Sequence, residues 1–276
     1  MNESEKKEII RTIEKRNLSP KELERIIKAF ENKPPKARAG FEDYFSEHTV
    51  IGVFGDTHIG HIMFDEPLFN HMVKIFNQRK VSRVYSVGDI LEGMSERKGH
   101  IYELSELGFE KQIEKATNLF KRIPSDVYGI NGNHDEWYQK NSNGGINVSI
   151  ELEKRTSNYH HVGDMEADID IGHDLKIKLF HANDGTAYAI SYKMQKLMES
   201  FTGGEKPDVL LSGHYHKALY MFNRNIHGIE CGTICGQTPW MRGKKIPAHK
   251  GFWVLEMRLG KGGIGMMGPT FYPGYK

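Results

Sequence analysis

The sequence predicts an α/β fold from about residue 48 onward, on three observations. Short apolar runs of strand length alternate with longer stretches of helical periodicity. Helical patterns near 66–79, 105–122 and 187–201 separate the runs. Five of them end on a polar cluster, which is where α/β sheets carry their ligands.

In chain order, residues 1–32 read as two helices. Ile9, Ile10 and Ile13 make an apolar stripe on the first. Ser19-Pro20-Lys21-Glu22 opens the second, with Ser as N-cap, Pro at the first helical position and Glu three after the cap. Leu23, Ile26, Ile27 and Phe30 then recur at helical spacing. Lys33-Pro34-Pro35-Lys36 ends the pattern as a linker. Residues 1–40 hold eleven Lys/Arg against seven Glu, so this extension is locally basic. Strands are expected at Thr49–Phe54, Arg83–Val87, Asp126–Ile130, Lys176–Phe180 and Asp208–Leu211. Helices are expected near Glu66–Arg79, Ser105–Arg122 and Ala187–Phe201. Residues 136–149 read as a loop, 217–258 as shorter strands, and 261–276 as a loose Gly-rich tail.

Composition narrows the class. The chain has 276 residues, 38% hydrophobic and 27% charged, with a formal net charge of +2. That balance neither demands nor excludes nucleic acid. No run approaches the roughly 18 apolar residues of a membrane helix, so no membrane partner is expected. The opening MNESEKKEII lacks a signal-peptide core, so a cytoplasmic protein is expected. The only cysteines, Cys231 and Cys235, cannot make a disulfide framework and read as buried and inert. Histidine is abundant, at 14.

Each of the five strands opens into metal-capable side chains. The first is followed by Gly55-Asp56-Thr57-His58, the second by Gly88-Asp89 and the third by Gly132-Asn133-His134-Asp135. The fourth ends on His181, and the fifth opens into Gly213-His214-Tyr215-His216. Imidazole, carboxylate and amide donors without thiolate suit hard-to-borderline divalent cations. A carboxylate shared by two cations must sit centrally, and Asp89 is the natural candidate. The glycines let the backbone turn sharply at the strand ends.

The ordered set GDTHIGH, GDILEG, GNHDE, H and GHYH resembles the calcineurin-like metallophosphoesterase superfamily, over about residues 49–258. In pattern it is nearest the branch of DNA-repair exonucleases and phosphodiesterases. The resemblance implies a two-sheet sandwich flanked by helices. It implies that Asp56, His58 and His216 hold one metal, that Asn133, His181 and His214 hold the other, and that Asp89 bridges them. It implies that His134 is not a ligand but the acid that protonates the leaving oxygen. Two divalent ions are the expected cofactor, manganese first, with iron, zinc or nickel as alternatives.

Protein Ser/Thr phosphatases of this superfamily carry GDxxDRG, whereas here Glu92 and Gly93 stand in the last two distinctive positions. Glycine cannot supply a guanidinium clamp for a phosphate monoester, which argues against a phosphoprotein phosphatase. Glu92 is expected either to orient His134 or to lie exposed. His61 either faces the phosphate or is plainly exposed. Trp137, Tyr138 and Lys140 either bind substrate, by stacking a base and holding a phosphate, or pack their own loop. Residues 236–245, GQTPWMRGKK, again mix an aromatic with cations. His71, His100, His160, His161, His173, His227 and His249 read as surface or core histidines.

The expected function is a two-metal phosphodiesterase or nuclease acting on nucleic acid or a nucleotide. The alternatives are a phosphomonoesterase or pyrophosphohydrolase on a small substrate, and a non-catalytic scaffold that keeps the fold. The sequence carries no signature of an oligomeric state.

Overall fold

The computed structural model describes residues 47–140, 145–260 and 263–275. The helix pair, linker and basic character expected of residues 1–40 lie outside them.

The chain runs β1 (Glu47–Phe54), α1 (Glu66–Gln78), β2 (Arg83–Ser86), α2 (Phe109–Phe120), β3 (Val127–Ile130), α3 (Glu136–Lys140), α4 (Val148–Arg155) and β4 (Tyr159–Gly163). It continues through β5 (Glu166–Asp170), β6 (Lys176–His181), α5 (Tyr192–Ser200), β7 (Val209–Gly213), β8 (Ala218–Asn223), β9 (Ile226–Cys231), α6 (Pro239–Lys244), β10 (Gly251–Gly260) and β11 (Gly263–Pro273). A six-stranded sheet has the order β11-β10-β1-β2-β3-β4, and a five-stranded sheet the order β5-β6-β7-β9-β8. β1, β2, β3 and β4 are mutually parallel, as are β6, β7 and β9.

The alternation along each strand explains the layers. Ile51 and Val53 of β1, Tyr85 of β2 and Ile130 of β3 point inward and meet Ile177, Leu179, Val209, Leu211 and Ile229 of the second sheet. Phe54 points the other way, into a cluster with Phe69, Phe76, Ile113 and Phe120 beneath α1 and α2. The rings of Phe54, Phe69 and Phe120 lie 5.8–6.1 Å apart, so three aromatics clamp the helices to the sheet. Met194 and Met198 of α5 cover the outer face of the second sheet. The sheets therefore pack as a sandwich with helices outside.

Two expectations are corrected. The Gly-rich tail supplies edge strand β11, paired with β10 from Gly251↔Pro273 to Gly260↔Gly263. The ladder hydrogen bonds hold it despite its glycines. The expected loop at 136–149 contains α3 and the start of α4, because Asn147 caps α4 by accepting from the Ile150 amide at 3.1 Å. β4 and β5 also lie where no strand was expected.

One buried charge has a measurable consequence. Glu230 is 2% exposed, and neither of its carboxylate oxygens has a hydrogen-bond partner among the described residues. Burial pushes its carboxyl up to about 7, against the pull of Lys217. The folded value lies above the ordinary one, so the protonated form is favoured by folding. That stability is present in acid and is lost as pH rises through about 7. Glu230→Gln should therefore melt several degrees above the wild type near about pH 8 and lose most of that advantage near about pH 5. Thermal scans at the two pH values check this.

Candidate metal centre

The carboxyl ends of β1, β2, β3, β6 and β7 converge on one rim, which brings the seven sequence-predicted ligands together. Five of the seven pay a backbone cost to be there. Asp56, His58, Asp89, His214 and His216 all have positive φ, between 49° and 86°. Left-handed backbone costs a non-glycine residue about 1–2 kcal/mol, and such outliers cluster at functional sites. Gly132 meets a different demand. A Cβ there would sit 2.1 Å from Asp89 Oδ1, so only glycine lets the β3 loop approach the carboxylate.

The donors fall into two groups. Asp56, His58 and His216 offer donor atoms within 4.8 Å of one another, and so do Asp89, His181 and His214. Asn133 joins the second group, with Oδ1 3.1 Å from His181 Nε2 and 2.8 Å from His214 Nδ1. Asp89 lies between the groups: its Oδ2 is 3.7 Å from His58 Nε2 and 3.3 Å from His181 Nε2. Its other oxygen accepts the His134 amide at 2.9 Å. The Asp56 carboxylate accepts the His214 amide at 2.9 and 3.0 Å.

Hydrogen bonds behind the rings assign the tautomers. His58 Nδ1–H donates to Glu92 Oε2 at 2.8 Å, and His181 Nδ1–H to the Val87 carbonyl at 2.7 Å. Each therefore turns Nε2 inward, that of His181 toward Asp89 Oδ2 and Asn133 Oδ1. His214 is reversed: Nε2–H donates to the Asp184 carbonyl at 2.9 Å, and Nδ1 faces Asn133.

This arrangement fits divalent cations. The donor set holds two carboxylates, one amide and four imidazoles, without thiolate. His58 Nε2, whose partner nitrogen already donates, faces His216 Nε2 at only 3.0 Å, while the buried His216 Nδ1 has no partner. Two neutral imidazoles meet that geometry with one N–H···N hydrogen bond, and two inward Nε2 lone pairs meet it by ligating a cation. The electrostatics agree. Burial pushes the Asp56 carboxyl up to about 7, with the Asp89 charge adding to the rise. Burial and the neighbouring His181 push His214 down to about 4. Asp56 stays raised against the pull of His181 and His58, and His214 is held neutral, as a metal-ligating imidazole must be.

Three further residues support the centre. The Asp135 carboxylate accepts the Ile90, Leu91 and Gly132 amides at 3.1, 2.9 and 2.9 Å, which ties the two ligand loops together. Glu92 is 4% exposed and is not the exposed loop residue that one reading allowed. Besides His58 it binds His100, whose Nε2 lies 2.7 Å from Oε1. The His134 ring donates from Nδ1 to the Glu92 carbonyl at 2.9 Å, while the carboxylate is 3.5 Å away. His134 is thus oriented chiefly by backbone, and the Glu92 carboxylate chiefly grips His58 and His100.

That changes what Glu92→Gln should do. Glutamine keeps the shape, but its amide group must face one of the two N–H donors. Losing a carboxylate behind a ligand histidine typically costs about 10–100-fold in metal affinity. Titration with manganese should show that loss, and unchanged affinity would mean that the contact with His58 is incidental.

A cleft of about 380 Å³ lies over the centre. His61 borders it and is 1% exposed, so it is not the plainly exposed residue of the alternative reading. Its Nδ1 accepts from the Met63 amide at 2.9 Å, and its Nε2 is buried and unbonded. Trp137 also borders the cleft, packed at 3.9 Å against the His134 ring and 5.7 Å from the His100 ring. Tyr138 and Lys140 do not. Tyr138 is 2% exposed beneath Phe109, and Lys140 pairs with Glu136. The cleft includes residues the sequence reading did not single out, among them His100, Arg97 and Glu103, the last two paired with each other at 2.7 Å. Trp240 comes from the aromatic–cationic segment 236–245, which was the one available signal. Cys231 and Cys235 are buried, unbridged thiols, as expected. Among the described residues, no helix is long and apolar enough to cross a membrane.

Among solved structures the chain is similar to an archaeal phosphodiesterase, at 16% identity, covering 81% of this chain and 100% of that one, with TM-score 0.49. It is similar to the phosphoesterase YfcE of E. coli, at 14% identity, covering 80% and 98%, with TM-score 0.42. It is also similar to Zn²⁺-complexed Vps29 of Entamoeba histolytica, at 16% identity, covering 81% and 99%, with TM-score 0.41. No curated protein matches the chain in sequence. Residues 50–246, well over half the chain, match the family model of the calcineurin-like phosphoesterase superfamily domain. With the metallophosphoesterase sandwich and the converging donors already in place, the chain belongs to the calcineurin-like phosphoesterase superfamily.

Proposed function

We propose that the protein is a two-metal phosphodiesterase acting on nucleic acid or a nucleotide. The observation that supports this most is the placing of Asp89 Oδ2 between the inward nitrogens of His58 and His181, as a shared ligand requires. Asp56, His58 and His216 would hold one ion, and Asn133, His181 and His214 the other. When bound, the ions supply a water of lowered pKa and a clamp on the phosphoryl oxygens.

The chain's own residues supply the rest. His134 keeps its Nδ1 on the Glu92 carbonyl, so Nε2 is the nitrogen left for the cleft. Burial opposes its charge, but Asp89 and Glu92 overcome this and push the imidazole up to about 10. It therefore holds a proton at Nε2, ready for the leaving oxygen. Trp137 braces that ring from the side. His61 borders the same cleft, its Nε2 3.5 Å from Glu103 Oε2.

Diester is favoured over monoester by Gly93. It has φ 74°, and a Cβ there would meet the His134 carbonyl at 2.4 Å, so no phosphate-clamping arginine fits. Chelated protein should lose hydrolysis of bis-p-nitrophenyl phosphate and regain it with manganese, and should prefer that ester to the mono-ester. A preference for the mono-ester would favour a phosphomonoesterase on a small substrate. Inactivity on both esters after loading with manganese, iron, zinc or nickel would favour a non-catalytic scaffold.

A further inference from the structure

The wall of the cleft built by α6 is unlike the metal rim. Trp240, Met241 and Ile246 make it apolar. Trp240 is 48% exposed and has no ring contact among the described residues, whereas Trp137 is packed against His134. An indole face left open beside a phosphate centre needs an explanation.

The segment that carries it is held firmly. The Gly236 amide donates to the Met63 carbonyl at 2.8 Å. Thr238 caps α6 by accepting from the Met241 amide at 3.2 Å, with Pro239 at the first turn. Gln237 Nε2 donates to the Ile246 carbonyl at 2.7 Å and closes the segment. The indole is thus presented on a preorganised support, which lowers the entropy cost of binding against it. Arg242, Lys244 and Lys245 follow it in the chain, outside the residues that line the cleft, all exposed and none paired with an acid among the described residues; Lys244, four residues on, shares the helical face of Trp240. A flat aromatic beside unpaired cations is the pattern of a single-strand platform, where bases stack and cations follow the phosphates.

We infer that Trp240 is a nucleobase-stacking subsite and that Arg242, Lys244 and Lys245 meet the neighbouring phosphates of a single nucleic acid strand. The inference rests on the diesterase reading and deepens it by naming the substrate class. It also moves the expected stacking residue from Trp137 to Trp240.

The test compares a fluorescent oligothymidylate with an equally long strand of abasic sugar-phosphate units. Binding to the chelated full chain is followed by anisotropy. The wild type should prefer the base-bearing strand. Stacking is worth roughly 1–3 kcal/mol per base, so Trp240→Ala should shrink that preference about tenfold or more. Trp240→Phe should retain most of it, which separates loss of the ring from loss of the fold. Replacing the three cations with Gln should weaken both strands alike and lower the log–log salt slope by about 2. The subsite is wrong if Trp240→Ala weakens both strands equally or neither. Hydrolysis of bis-p-nitrophenyl phosphate by the manganese-loaded wild type is run alongside. Its failure would sink the diesterase reading, whereas an unchanged strand preference sinks the subsite alone.

Discussion

Asp89→Asn should remove phosphoesterase activity by several orders of magnitude and reduce bound metal from two ions to one or none. The side chain is 1% exposed, and both of its oxygens are committed. Oδ1 takes the His134 amide, and Oδ2 faces His58 and His181. Burial pushes the carboxyl up, but His181 and His134 overcome it and hold Asp89 ionised, well below the usual carboxylate range. An asparagine carries no charge, and its NH₂ must turn either toward the His134 N–H or toward two imidazole nitrogens. Either choice sets donor against donor or blocks the shared position. Metal analysis of the purified variant, paired with its turnover number, measures both effects. Wild-type metal content in Asp89→Asn would show that another residue joins the two groups.

His134→Ala should separate chemistry from metal binding. Its ring belongs to neither the Asp56 nor the Asp89 triad; it groups instead with His58 and Glu92, where its Nδ1 is spent on the Glu92 carbonyl. Losing a general acid costs about 10²–10⁴-fold. Turnover should fall by that much while both ions stay bound. The loss should shrink on p-nitrophenyl esters, whose leaving group barely needs a proton. This outcome contrasts with Glu92→Gln, where metal affinity is the quantity that moves. An emptied metal position in His134→Ala would mean that the roles of His134 and its neighbours are exchanged.

The candidate donors were legible in the sequence because their geometry is local. Each follows an apolar run within a few residues, Asp56, Asp89, Asn133 and His214 directly after a glycine, and parallel strands carry those ends to one rim whatever the remainder of the fold does. Asp56, His58 and Asp89 even show in the backbone what the motif shows in the sequence, since all three adopt left-handed φ. His100 was not legible. It reaches Glu92 through a 3-10 turn at His100–Glu103, and nothing in the spacing announces that route. Tyr138 and Lys140 were over-read for a related reason. Adjacent helical positions point in different directions, so Trp137 reaches the cleft while Tyr138 turns into the core. The tail failed on composition. Glycines in Gly263–Pro273 suggested looseness, but ladder pairing with β10 is a non-local property that residue counts do not contain. Asn147 was read as a loop residue when its side chain was the cap of α4.

The central claim is that two ions share Asp89, and anomalous diffraction from crystals grown with manganese tests it most directly. The account predicts two peaks about 3.5–4 Å apart. One should lie among Asp56, His58 and His216, the other among Asn133, His181 and His214, with an Asp89 oxygen in contact with both. A single peak in this cluster, or a metal bound only at Cys231 and Cys235, would contradict it.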